Sequence, residues 1–434
     1  MANKIQRPNR NNEPREGYPA PAAVPEGQPQ TPPADNSHEP ERPAQTRRAG
    51  KNDTLPALRI TLLGGTGTGK STFIAGLIET FANLVYPLGS GSAARISLKL
   101  LRFRSSDSII SISEVSAEDA AVDSLMLTHH LDEFSFFRDG AALRFPEGTT
   151  GNSKSYTFLL QVNGTDVCRL IIMDYMGGYI DHPEMHSRQE MQMLGESCAA
   201  SDAVIIMADT TKLVADLSDG VLMPDAAHFH MNSAQINQLI YTISDHSESP
   251  VTVLFALTKS DQPAVQACSA LCSEHFRAAA DMLRSIVYSG AYNQLLVRRD
   301  WWYGIIPVTA VGPDKVDEYN RIKPGAVIKQ ENIDLSLLFC LMSHLERMIA
   351  GQQAQVSAAK RRRFDLGHLL TAIKEFRIRR DACLHEIEVL DALHLLKNQL
   401  DAQMHLFLEA MPLIRIPKIG EIGGSGEGGT GNDA

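Results

Sequence analysis

No stretch of the 434-residue chain holds about 18 apolar residues in a row, the length a helix needs to cross a bilayer, and no charged segment followed by an apolar one marks a leader. A cytoplasmic protein is therefore expected, attached to a membrane at most peripherally. Basic residues are outnumbered, 41 against 51 acidic, and the net charge of −10 opposes nucleic acid as the main partner, since backbone binders carry a basic domain. The six cysteines, Cys168, Cys198, Cys268, Cys272, Cys340 and Cys383, lack metal-ligand spacing and read as reduced core thiols. His228 and His230 likewise have no Cys or acidic residue at zinc spacing. Large aliphatic residues are almost missing from residues 1–55, which are rich in Pro, Asn, Glu, Arg and Gln. Such a segment cannot bury enough apolar surface to offset its ordering entropy, so a disordered arm is expected there.

The remainder has the composition of an ordinary globular protein, 43% hydrophobic and 21% charged. Its most informative stretch runs from Ala57 to Ile78, where an apolar strand, Leu58 to Leu63, leads through a glycine-rich turn into a helix beginning near Lys70. Gly64-Gly65-Thr66-Gly67-Thr68-Gly69-Lys70-Ser71 matches G-x-x-x-x-G-K-[ST] in full, and Thr72 follows in the first turn of the helix. The glycines let the backbone curl so that successive N–H groups face phosphate oxygens, and the helix adds the positive end of its dipole. Lys70 supplies a point charge for the β and γ phosphates, and the Ser71 hydroxyl is a hard oxygen ligand for magnesium.

Downstream, apolar strands alternate with helices. Tyr156 to Val162 and Arg169 to Met173 form a hairpin turned at Asn163 to Asp166, and further strands follow at Ala203 to Met207, Val251 to Leu257 and Gly304 to Val308. This alternation predicts a mostly parallel sheet covered on both faces, with ligand loops at the carboxyl ends of its strands. Residues 86–148 read as an insertion after the first helix, with β-like runs at Ala94 to Phe103 and Ile109 to Val115, a helix from Ala117 to Phe134 and a short strand at Leu143 to Phe145. The expected organisation is an arm over 1–55, a core domain over 56–350, a helical extension over 351–416 and a glycine-rich flexible tail over 417–434. In the extension, Leu396, Leu400, Met404, Phe407 and Met411 form one apolar stripe, and Lys360 to Arg363 with Lys374, Arg377, Arg379 and Arg380 form a basic cluster. The stripe is expected to pack on the core or to drive self-association. The basic cluster reads as a solvated face, or as a surface for anionic lipid, an acidic partner or a neighbouring nucleotide site that it would supply with arginine.

Three further loops follow core strands. Asp174-Tyr175-Met176-Gly177 places a carboxylate beside the phosphate loop, where it would hold magnesium, and Gly177 would offer its N–H to a γ-phosphate. Thr258-Lys259-Ser260-Asp261 bears on the base, because a carboxylate accepts from the ring N–H and the exocyclic amine of guanine, whereas adenine presents no such donor pair. Lys259 can lay its stem along the base, and Thr309-Ala310 is placed for an N–H to reach the guanine carbonyl; a surface turn with Asp261 as a helix cap is the alternative.

These four motifs in this order resemble the first, third, fourth and fifth motifs of Ras-like and dynamin-like GTPases, the translation-factor-related class, with features similar to bacterial conflict-system GTPase-like proteins. The resemblance covers about residues 57 to 350. It implies an α/β, three-layer P-loop GTPase fold with a mostly parallel six-stranded core sheet, GTP or GDP with Mg2+ as ligands, and a nucleotide-dependent switch with a protein effector or activating partner. It also implies a catalytic pair, Lys70 with a threonine that completes the magnesium shell, for which Thr149 and Thr150 are the candidates, Thr150 being taken with Ser71 and Asp174 as the metal set. Thr258 stands where Asn is commoner. Gly178 stands where many members carry a water-orienting Gln, and Thr66 where many keep glycine, so slow intrinsic hydrolysis is expected, with His182, Gln189 or a partner completing the site. A nucleotide-binding scaffold with little turnover and a self-assembling membrane-associated GTPase are the alternatives.

Overall fold

Alternation sets the sheet. Along β1 (Ala57–Leu63) the side chains of Leu58, Ile60 and Leu62 enter one apolar core and Leu63 enters a second, because successive strand residues point to opposite faces. The computed structural model describes residues 55–82, 86–87, 94–117, 153–215, 217–218, 221–222, 232–261, 288–312, 315–317, 321–326, 328–364, 372–411 and 413–417. The expected arm, much of the expected insertion, Thr149 and Thr150, the helix after Asp261 and the glycine-rich tail lie outside these residues.

In chain order β1 is followed by α1 (Lys70–Leu77), which continues as a π turn over Ile78–Ala82, then β2 (Tyr86–Pro87), β3 (Arg95–Ser106), α2 (Ile112–Ala117), β4 (Ser153–Val162) and β5 (Thr165–Tyr175). Next come α3 (Gly178–Asp181), α4 (Arg188–Ala199), β6 (Ala203–Asp209), α5 (Thr210–Ala215), a two-residue hairpin of β7 (Leu217–Ser218) and β8 (Val221–Leu222), α6 (Ser233–His246), β9 (Thr252–Thr258), α7 (Ser289–Val297) and β10 (Trp302–Val308). Two long helices, α8 (Ile333–Phe364) and α9 (Ala372–Ala402), then α10 (Met404–Ala410) and β11 (Leu413–Arg415) complete the described chain.

One sheet takes the order β11-β10-β9-β6-β1-β5-β4-β3-β2. Strands β10, β9, β6, β1 and β5 are parallel, and β4 returns antiparallel against β5. These six form the expected core, but the sheet has nine strands among the described residues, three more than expected. Much of the excess comes from Arg95 to Ser106, read from sequence as part of an insertion. It pairs along the whole of β4, burying Ile96, Leu98 and Leu100 while Arg95 and Lys99 face solvent. A bulge at Leu100/Arg102 turns the consecutive Leu100 and Leu101 both inward, a pattern that simple alternation does not anticipate. The second correction is Ile109 to Val115, read as β-like. Ile112 to Ala117 is helical, with Ile112 and Val115 buried, and hydroxyls replace strand partners: Ile110 N–H donates to Ser153 Oγ at 3.2 Å and Ile112 N–H to Ser197 Oγ at 3.0 Å.

The faces are dressed separately. One carries α1, α8, α9 and α10 over Leu58, Ile60, Ile205, Leu254 and Ile306; the other carries α2, α4, α6 and α7 over Val204, Ile206, Val253 and Phe255. Helix α4 begins on a reciprocal cap, Ser187 Oγ accepting from Glu190 N–H while the Glu190 carboxylate accepts from Ser187 N–H. Helix α8 passes residue 350 without a break. Its first half buries Leu337, Leu338, Leu341 and Leu345 on the sheet, and α9 returns beside it, with Gln352 Nε2 donating to the Glu386 carboxylate at 2.6 Å. Leu396, Leu400, Phe407 and Met411 of the apolar stripe are buried in the same core.

Leu396→Ala removes a fully buried side chain shared by the hairpin and the sheet, and is expected to destabilise the whole core by about 2–5 kcal/mol. Urea unfolding in a Trp302→Phe background, which leaves Trp301 under the opposite face as the sole tryptophan, reads this directly: a lowered midpoint is the expected outcome, and an unchanged one would mean that the helices fold apart from the sheet.

Candidate functional site

The loop after β1 is shaped by glycines that are sterically required. Gly64, Gly67 and Gly69 have φ of 150°, 76° and 97°, a region that side chains other than glycine rarely enter. A Cβ at Gly64 would in addition stand 2.6 Å from the Met207 carbonyl oxygen of β6. The crown, Thr66 and Gly67, is exposed, whereas Lys70 folds back beneath it, its Nζ donating to the Gly64 carbonyl at 2.7 Å and the Gly65 carbonyl at 3.2 Å. Burial pushes the Lys70 ammonium below its usual range; Asp174 and Asp181 act in the opposite direction, and Lys212 adds to the fall. A buried cation held only by carbonyl dipoles is suited to exchange them for phosphate oxygens. Thr68 braces the turn through Oγ1 to the Gly65 carbonyl at 2.9 Å, and Thr72 lies in the first turn of α1.

Asp174, fully buried near the end of β5, lies beside Leu62 of β1 and accepts from Ser71 Oγ at 3.4 Å. A hydroxyl and a carboxylate are hard oxygen donors, and the pair fits a small divalent cation that takes its other ligands from phosphate and water. No group of three His, Cys, Asp or Glu side chains that could hold a metal occurs among the described residues, and Thr150, the third candidate ligand, lies outside them. Gly177 abuts the phosphate loop so closely that a Cβ there would overlap Thr66 N and the Gly65 carbonyl carbon.

The residues proposed from sequence to complete this end, His182 and Gln189, are exposed, and His182 turns to Glu184 at 3.5 Å. The side chain that reaches the loop is Asp181. One turn of helix after Gly177, its Oδ2 accepts from Thr66 N–H at 2.6 Å and its Oδ1 from Asn232 Nδ2 at 2.8 Å. Burial pushes its carboxyl up, but the hydrogen bonds from Thr66 and Asn232 and the charge of Lys212 outweigh burial and hold it below the usual carboxylate range. The spacing Gly177 to Asp181 was available in the sequence as an i, i+4 pair.

At the other end of the site, Thr258 Oγ1 donates to the Thr68 carbonyl at 2.7 Å and lies 3.2 Å from the Ala208 carbonyl. The hydroxyl in the place of Asn thus ties β9 to the phosphate loop. Lys259 adopts a left-handed conformation, φ 57°, and its Nζ pairs with Asp209 Oδ2 at 2.6 Å; Asp209 was not singled out from sequence, although it too ends a core strand. Burial pushes the Asp261 carboxyl up, partly offset by hydrogen bonds from its own N–H, from Gly312 N–H and from the Thr309 hydroxyl. Thr309 N–H is engaged by the Glu331 carbonyl at 3.0 Å, which leaves Ala310 as the member of that pair placed to meet a base carbonyl.

No protein-family profile and no curated protein sequence matches the chain. Solved structures to which it is similar include the signal recognition particle receptor SRβ-GTP/SRX complex from Chaetomium thermophilum, at 12% identity over 59% of this chain and 92% of that one, TM-score 0.26. Two others are Sup35 complexed with GDP, at 11% identity over 63% and 41%, TM-score 0.25, and the S. cerevisiae Ski7 GTPase-like domain bound to GDP and inorganic phosphate, at 12% over 62% and 47%, TM-score 0.28. This chain spans less than half of the latter two. Identity and overlap this low carry no weight of their own, and the assignment rests on strand order and loop placement. The phosphate loop after β1, the acidic turn after β5, Thr-Lys-Ser-Asp at the end of β9 and Thr-Ala after β10 all stand on one rim of a mostly parallel α/β sheet, where the strand ends of such a fold place a ligand.

Proposed function

We propose that the protein is a GTP-binding switch that hydrolyses GTP slowly. The observation that carries this reading is the Thr258 to Thr68 hydrogen bond, which fixes the base-reading loop to the phosphate loop, so that one ligand bearing both a guanine and a polyphosphate fits both. Lys70 exchanges its two backbone carbonyls for β and γ phosphate oxygens, and the N–H groups from Gly65 to Thr72 line the phosphates. Ser71 and Asp174, with Thr150 or Thr149, would hold magnesium, which when bound neutralises phosphate charge. At the base, the Asp261 carboxylate accepts from the ring N–H and the exocyclic amine, the Lys259 stem lies along the ring, and Ala310 N–H meets the carbonyl. Gly177 N–H reads the third phosphate, so the turn at Gly177 itself is held or released with it.

Slow turnover follows from Gly178. With no side chain there to orient a water, and with His182 and Gln189 exposed, hydrolysis relies on a group brought by a partner. A scaffold that binds GTP with little turnover is favoured by the same residue and differs only in the rate of phosphate release.

Asp261→Asn replaces the acceptor pair by an amide that donates to the second carbonyl of xanthine. Titration calorimetry is expected to show a fall in GTP affinity of roughly 100-fold or more, with XTP gaining in its place; retained GTP affinity would remove Asp261 from base recognition. Because burial raises the Asp261 carboxyl and guanine needs the carboxylate, GTP affinity should fall on acidification at a higher pH than an ordinary aspartate would give, and Asp261→Asn should abolish that dependence. Lys70→Ala should weaken GTP and GDP together, roughly 100-fold for the triphosphate, in the same titration.

A further inference from the structure

Three elements meet at a single carboxylate. Asp181 brings α3, Thr66 the phosphate loop and Asn232 the start of α6, and the two oxygens of Asp181 are divided between the other two at 2.6 and 2.8 Å. The fit is close on every side. Asn232 is held in a left-handed conformation at φ 50°, and a Cβ at Gly65 would overlap Asp181 Oδ1 and stand 2.9 Å from Asn232 Nδ2. On the other side of Gly65, its carbonyl accepts from Lys70 Nζ. Asp181 therefore stands next to the cation assigned to the phosphates and beside Gly177, the backbone assigned to the third phosphate.

Resting on the GTP reading above, we propose that Asp181 determines discrimination between di- and triphosphate: its carboxylate on Thr66 N–H is compatible with GDP, whereas the γ-phosphate of GTP repels it, breaks the Thr66 and Asn232 bonds and frees α3. Like charges this close repel strongly in a partly desolvated site, and the carboxylate, held on Thr66 N–H at 2.6 Å and Asn232 Nδ2 at 2.8 Å, stands against the incoming anion. Diphosphate ends short of Gly177, so the same contact survives. The γ-phosphate thereby acts on α3 by expelling an anion as well as by recruiting Gly177 N–H. Release is transmitted to α6, since Asn232 loses its partner in the same event.

A purely structural tie would not need the charge, and Asp181→Asn separates the two possibilities. Asparagine still offers an oxygen to Thr66 N–H, and Asn232 can rotate its amide to keep the second bond. Titration of the full-length wild type and variant with GDP and with the non-hydrolysable β,γ-imido analogue of GTP, in magnesium, is expected to move the affinity ratio toward the triphosphate by roughly tenfold or more. An unchanged ratio, or an equal loss for both nucleotides, overturns the proposal while leaving GTP binding intact; failure of both proteins to bind either nucleotide overturns the GTP reading along with it. Should the variant fold poorly, hydrogen exchange on the wild type decides. Faster exchange over residues 179–186, beyond the Gly177 contact, with the triphosphate analogue than with GDP supports the proposal, and equal or slower exchange overturns it.

Discussion

A buried ammonium is an expensive group, and the geometry of this site follows from how Lys70 is kept. Its Nζ lies within 3.2 Å of two backbone carbonyls, which can both face inward only because the loop turns through left-handed residues at Gly64, Gly67 and Gly69. That shape is then clamped from three sides. Met207 of β6 leaves no room for a Cβ at Gly64, Gly177 after β5 presses on Gly65 and Thr66, and Thr258 of β9 takes the Thr68 carbonyl. Parallel strands bring all three clamps to one rim, so the phosphate loop is shaped by the sheet before any ligand arrives.

The same helix that begins at Lys70 couples the site to the helical hairpin. On its far side Gly76 lies against Ile333, where even a methyl group would overlap the Ile333 side chain, and Thr80 Oγ1 donates to Gln330 Oε1 at 2.6 Å. Ile333 is the first residue of α8, whose first half is core and whose second half runs out beside α9. A displacement of α1 is therefore felt at the root of a 32-residue helix, and the register of Gln352 with Glu386 brings Lys360 to Arg363 and Lys374 to Arg380 to the same end of the hairpin. Helix α8 therefore runs from the contact with α1 at Ile333 to the end of the hairpin where the sequence carries these basic residues.

Much of this was legible in the residues. The strand, glycine turn and helix around Lys70, the four loops at strand ends and the apolar stripe from Leu396 each follow from local chemistry: left-handed backbone at glycine, period-two and period-3.6 burial, and acidic residues at sheet rims. What escaped was set by tertiary packing. The β-like run at Ala94 to Phe103 is the strand Arg95 to Ser106, but its place beside β4, some fifty residues on, and the double inward turn of Leu100 and Leu101, which comes from a bulge that pairing creates, have no local signal. Ile112 to Ala117 has β-branched residues but a helical backbone, since Ser153 and Ser197 hydroxyls satisfy the N–H groups leading into it. Asp209 and Asp181 were missed for another reason. A lone aspartate has no periodicity, and its meaning depends on which cation or N–H stands across the gap: Lys259 at 2.6 Å for the first and Thr66 N–H at 2.6 Å for the second.

These two aspartates divide the site electrostatically. At one end Asp209 neutralises Lys259, so under the proposed reading a planar uncharged base would meet a neutral floor with Asp261 as its acceptor. At the phosphate end, among the described residues, Lys70 and Lys212 face Asp174 and Asp181, two cations against two carboxylates. In the reading proposed above the two carboxylates are dealt with differently. Asp174 is answered by a cation on the Ser71 side, for which its buried oxygens are suited, but Asp181 stands across Gly65 and cannot be answered by the same ion. Whether its charge stays or goes is decided by how far the phosphate chain extends, and the length of that chain is what distinguishes the two states of a nucleotide switch.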